Sequence, residues 1–162
     1  MRNVQRFRVD LIDKRIAELK ARIPEGGVRE AVIRGLLYAG MSRGSIDERG
    51  FEMARRLREA HGEMSLADFK AVVRDQFYML VIDQAAALNA IPKMLPEDPE
   101  IRQQALQMIM QVLGARGRLS ADDEERLAEI VGLLGVDEKT SYRKDSLSQK
   151  ATHPLRRAAR AS

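Results

Sequence analysis

The 162-residue chain has no cysteine and no tryptophan, only two histidines, and just four phenylalanines and three tyrosines. Without cysteine there are no disulfides, no thiolate zinc sites and no cysteine nucleophile. The same absence accords with a reducing, cytoplasmic setting. Long apolar runs are missing too. A bilayer span needs about 20 consecutive apolar residues, and the best stretch, Phe77–Ile91, is interrupted by Asp83, Gln84 and Asn89. The N-terminal Met1-Arg-Asn-Val-Gln-Arg-Phe-Arg8 carries charge with no signal-type apolar core behind it. The chain is therefore expected to be soluble, cytoplasmic and not inserted in a membrane. Alternating β-branched segments long enough for a strand are also lacking, which points to an all-α fold.

What the chain does have is a globular balance, 44% apolar and 32% charged, rich in helix formers. Its length suits one domain with a core that needs no staples. Charge is unevenly placed. Residues 1–136 hold 21 basic and 21 acidic side chains, whereas residues 137–162 hold seven basic and three acidic, which gives the whole its +4. A nucleic-acid footprint needs clustered Lys and Arg on a folded surface with stacking aromatics. The body offers neither, so no nucleic-acid partner is expected. The expected organisation is a helical bundle over 1–136 and a disordered basic tail over 137–162.

Apolar spacing of three and four residues predicts six helices. The first covers Asn3 to Ile23, with Phe7, Leu11, Ile16, Leu19 and Ile23 on one face and dense charge elsewhere. It is expected to dock on the bundle, the alternative being to pair with a second copy. The second runs from Val28 to Gly40, burying Ala31, Val32, Leu36 and Ala39. A third, capped by Asp47, ends near Ala60 at His61-Gly62. A long helix over Ser65–Ile91 follows, capped by Ser65 and stopped by Pro92. Its stripe of Leu66, Phe69, Val73, Phe77, Leu80, Val81, Leu88 and Ile91 marks it as the central rod. Asp98 with Pro99 opens a fifth helix, and Ser120 caps a sixth over Ala121–Leu134.

Several residues tempt a chemical reading. Gly40-Met-Ser42-Arg-Gly44 has the form G-x-S-x-G, but a nucleophile elbow needs a strand leading into the serine. Here the approach is helical, and neither His61 nor His153 is placed to serve as base. Asp122, Asp123, Glu124 and Glu125 read as the charged first turn of a helix rather than a cation site. Asp75 and Asp83, two turns apart with Arg74 and Asn89 nearby, allow either a buried ionic network or plain solvation. The methionines, among them Met53, Met79, Met94, Met108 and Met110, read as core filling, with an adaptable groove as the alternative. No catalytic, metal-binding or cofactor-binding residue is assigned, and no cofactor is expected.

Two windows echo one another. In Ala31–Leu57 a helix is followed by Ser-Arg-Gly44, Ile46 and an Asp47 cap. In Ala105–Leu134 a helix is followed by Ala-Arg-Gly117, Leu119 and a Ser120 cap. Any helical hairpin wants such a turn, and a duplicated hairpin would also produce it. The second account gives a resemblance to tellurite-resistance-B-like helical domains. That resemblance implies an Asp before each glycine, suited to a cation. Arg43 and Arg116 stand there instead, and an arginine has no lone pair for a metal.

A closer resemblance spans about residues 10–136. Glu25–Gly40 (EGGVREAVIRGLLYAG), Ile46–Phe51 (IDERGF) and Phe69–Tyr78 (FKAVVRDQFY) carry it. They resemble the C-terminal helical region of uncharacterised bacterial poly(3-hydroxyalkanoate) synthetase-like proteins, in which an α/β-hydrolase-like portion precedes the helices. The resemblance implies a non-catalytic accessory domain whose partner is a hydrolase-like or synthase-like protein, or a second copy. A tellurite-resistance-B-like binding module in metal or envelope stress is the alternative.

Overall fold

The computed structural model describes residues 2–40, 55, 58, 59, 62, 64–114 and 117–136. Among these are six α-helices and no strand, the all-α bundle expected. They are α1 (Arg2–Arg22), α2 (Val28–Gly40), α3 (Leu66–Ile82), α4 (Gln84–Met94), α5 (Pro99–Gly114) and α6 (Ala121–Leu134). Most of the segment expected to form the third helix, and all of the basic tail, lie outside the described residues. Arg55, Arg58 and Glu59 are helical, and the Gly62 N–H donates to the Arg58 carbonyl at 2.8 Å. Gly62 sits at φ +56°, the left-handed helix end its sequence position suggested.

The hub of the bundle is α2, not the expected rod. It packs against α3, α4, α5 and α6, and eight of its thirteen residues are buried. The four predicted inward residues, Ala31, Val32, Leu36 and Ala39, are all among them, joined by Ile33, Arg34, Gly35 and Tyr38. A helix buried on most of its circumference is central by definition. Gly35 permits the closest approach: a Cβ there would stand 3.1 Å from Ile109 Cδ1 on α5 and 3.4 Å from Ile130 Cγ2 on α6.

The rod predicted over Ser65–Ile91 is two helices. Asp83 (φ −152°, ψ 86°) closes α3, its N–H donating to the Met79 carbonyl at 3.1 Å. It then opens α4, its carboxylate accepting from the Ala86 N–H at 3.0 Å. Asp competes with the helix for backbone donors, so it ends one helix and starts the next without glycine or proline. Phe69, Leu80 and Ile91 are buried as expected, but Leu66 and Val81 are exposed. Pro92 does not stop the second piece, which continues to Met94.

Helix ends elsewhere follow local chemistry. Ser65 accepts from the Asp68 N–H, Asp98 from the Glu100 N–H, and Ser120 forms a full capping box with Asp123. Gly135, at φ +64°, terminates α6. Among the described residues no helix is long and apolar enough to cross a membrane.

Candidate functional site: the unpacked stripe of the first helix

At 3.6 residues per turn, Val9, Ile12, Ile16, Leu19 and Ile23 form one line along α1, spaced 3, 4, 3 and 4. The line changes character midway. Leu19 and Ile23 are each 3% exposed and belong to the core, whereas Val9, Ile12 and Ile16 are 54%, 58% and 41% exposed. The C-terminal half of α1 lies on α3, and among the described residues no helix is seen packed on the same stripe of the N-terminal half. Val4, Phe7 and Leu11 make a second exposed apolar line, roughly a third of a turn away. The single face expected from Phe7 to Ile23 is therefore two lines, and among the described residues only the last turns of one dock on the bundle.

The docked half is held at its edge by charge. Asp75 on α3 accepts from Arg15 at 3.0 Å and from Arg22 at 3.4 Å. Asp75 is largely covered while both arginines remain about half exposed, so the ion pairs mainly fix register. Arg8 occupies the same edge one heptad before Arg15, and among the described residues it makes no ion pair.

Where α1 meets the core stands Arg34, the largest fully buried side chain and one that the sequence reading missed. Its Nε donates to Gln76 Oε1 at 2.8 Å. Its Nη1 donates to the carbonyls of Ile23 and Ala87, both at 3.0 Å, and its Nη2 to Met79 Sδ at 3.3 Å. The guanidinium thus ties the end of α1 to α2, α3 and α4. Burial pulls its pKa down to about 10, opposed by the Glu30 carboxylate one turn earlier, so it is still cationic at neutral pH. Four of its five donors are directed at fixed acceptors, with no hydrogen-bonded carboxylate among them, and its role is structural. Position was the available signal: Arg34 lies three residues after Ala31 and four before Tyr38, on the apolar face.

A second polar cluster joins α2 to α6. The Tyr38 hydroxyl donates to Glu129 Oε2 at 2.7 Å, and Arg126 donates to the Tyr38 carbonyl at 3.0 Å while standing 5.0 Å over its ring. Burial, then the hydrogen bond to Glu129, raises the phenol pKa. The cluster is a clip between helices.

The residues singled out for chemistry are not brought together. Asp75 pairs with α1 and Asp83 caps α4, so they serve different partners; Arg74 and Asn89 are exposed. Asp123 is buried in its capping box, and Asp122, Glu124 and Glu125 are exposed on the first turn of α6. Met79 and Met94 fill the core, Met108 is half-buried, and Met110 is exposed. The approach to Ser42 is the helix α2. Ser42 itself, Arg43, Gly44, Met53, His61, Arg116 and His153 lie outside the described residues.

One relative bears on this geometry. Over 129 residues, 78% of this chain, the sequence is 49% identical to the uncharacterized protein in the ackA 5′ region of Rhizobium meliloti. The matched stretch is 18% of that protein. The chain thus spans less than a fifth of the length of the curated relative it matches. No protein-family model matches the chain, and no solved structure does.

Proposed function

We propose that this chain is a non-catalytic helical interaction domain, accessory to a hydrolase-like or polyester-synthase-like protein, and that it docks through the N-terminal half of α1. The observation that carries this reading is the change midway along one stripe: Leu19 and Ile23 are core, while Val9, Ile12 and Ile16 continue the line into solvent. Monomeric proteins rarely leave a contiguous apolar patch of this kind unless something covers it. Two further facts support it. A similar sequence makes up a minor part of a much longer protein. The segments Glu25–Gly40 and Phe69–Tyr78 resemble the helical region that follows an α/β-hydrolase-like portion in poly(3-hydroxyalkanoate) synthetase-like proteins.

The reading separates the two halves of α1 by their effect on stability. Ile12→Asp changes a side chain that is 58% exposed and is expected to shift the unfolding free energy by no more than about 0.5 kcal/mol. Leu19→Asp buries an unpaired charge and is expected to cost about 3 kcal/mol or more. Urea unfolding of the full chain followed by circular dichroism measures both. A loss of 2 kcal/mol or more for Ile12→Asp would mean that the stripe is packed within its own fold, and the docking reading would fall.

A further inference from the structure

The edge of α1 repeats. Arg8, Arg15 and Arg22 are spaced by seven, and beside them run Val9, Ile16 and Ile23, also spaced by seven. In the later repeats the bundle supplies the complement: apolar surface for Leu19 and Ile23, and the Asp75 carboxylate for Arg15 and Arg22. The first repeat presents the same chemistry, Arg8 beside Val9 and Ile12, with neither component supplied among the described residues. The part of α1 that is already docked therefore shows what the undocked part would accept.

We infer that the N-terminal half of α1 binds an amphipathic helix of another polypeptide, one that carries an apolar stripe and a carboxylate on the edge facing Arg8. This rests on the docking role proposed above and specifies the partner. Charge argues against an antiparallel second copy, and a parallel one gives a mixed pairing. In a heptad pairing the residues beside the stripe face each other across the interface. An antiparallel copy would set Arg8 near Arg15 of that copy. A parallel one would set Arg8 near Asp13 of that copy, but would bring Arg15, already held by Asp75, near Lys20. A lipid surface is a poorer fit as well. Helices that lie on membranes keep their apolar residues on one side, whereas Val9 and Ile12 are turned away from Phe7 and Leu11.

The test uses the full chain and two synthetic helical peptides of about four heptads, both with Leu at a and d. One has Glu at e and g, the other Lys. Binding is read by fluorescence anisotropy of the labelled peptide, with sedimentation of the chain alone in parallel. The Glu peptide is expected to bind at least tenfold more tightly than the Lys peptide. Arg8→Glu should weaken the Glu peptide at least tenfold, Ile12→Asp should abolish its binding, and both variants should keep the wild-type circular dichroism spectrum. Equal binding of the two peptides, or no effect of Arg8→Glu, would overturn the acidic-edge assignment. The docking role would survive if Ile12→Asp still abolished binding. Failure of both peptides to bind at 100 μM, on about the −5.5 kcal/mol scale, would also overturn it. If the chain then sedimented as a dimer dissolved by Ile12→Asp, the occupant would be a second copy.

Discussion

Arg34→Ala is expected to destabilise the chain by about 4 kcal/mol, the largest effect of any single substitution considered, because three separate losses coincide. The first is a cavity, since the side chain is fully buried and truncation leaves a void that neighbours refill only in part. The second is polar. Gln76 Oε1 and the carbonyls of Ile23 and Ala87 lose their donor in a site without ready access to water. The third is connectivity, because one guanidinium joins the end of α1 to α2, α3 and α4. Ile23 follows the last turn of α1, where backbone carbonyls lack partners and carry the negative end of the helix dipole; a cation there satisfies both needs. Arg34→Lys keeps the charge but reaches fewer acceptors, and is expected to cost about 2 kcal/mol. Urea titration with an unchanged m-value measures these losses. Against a total stability of about 5–15 kcal/mol, the alanine variant should be partly unfolded on mild warming. A cost under 1 kcal/mol would show that these four helices are held by apolar packing alone.

Arg102→Ala is expected to cost about 2–3 kcal/mol. This half-buried arginine of α5 gathers carbonyls from two helix ends. Nε donates to Pro96 at 2.8 Å, Nη1 to Leu134 at 3.1 Å, and Nη2 to Pro92 at 3.0 Å and Leu95 at 3.4 Å. Pro92 and Leu95 belong to the close of α4, and Leu134 is the last residue of α6. Both ends present carbonyls without intrahelical partners, so one planar fork caps two helices and seats α5 between them. Arg102→Lys should recover less than half of the loss, because an ammonium is a single point rather than a fork. Thermal unfolding of the two variants side by side decides this: equal melting temperatures for Lys and wild type would show that charge, not fork geometry, is what matters.

These two arginines also show where sequence reading stopped. Apolar periodicity located the five segments that the described residues cover, and cap chemistry at Ser65, Asp98 and Ser120 placed their starts. Those signals are local, and a pattern of three and four records them directly. Which helix becomes the hub is not local. Ser65–Ile91 looked central because it carried the longest apolar pattern, whereas α2 is central because Gly35 lets α5 and α6 close on it and Arg34 finds its acceptors on three other helices. Apolar spacing carries no mark for a polar side chain turned inward, which hid Arg34. The break at Asp83 was hidden for the opposite reason. Its neighbours, Gln84-Ala-Ala-Ala87, are good helix formers, and only the side-chain cap on Ala86 reveals the change of direction. The candidate stripe was half legible: spacing identified apolar lines on α1, but not where the described fold stops covering them.

The division of α1 is the claim on which the functional reading depends, and native-state hydrogen exchange on the full chain tests it most directly. Amides of α2 around Arg34 are expected to exchange only by global unfolding, and those at residues 20–22 to be protected by the docked end of the helix. Amides at residues 6–14 should exchange at least a hundredfold faster than those of α2, through fraying of an unsupported helix. Protection of residues 6–14 equal to that of α2 in the isolated monomer would contradict the account, because the stripe would then already be covered.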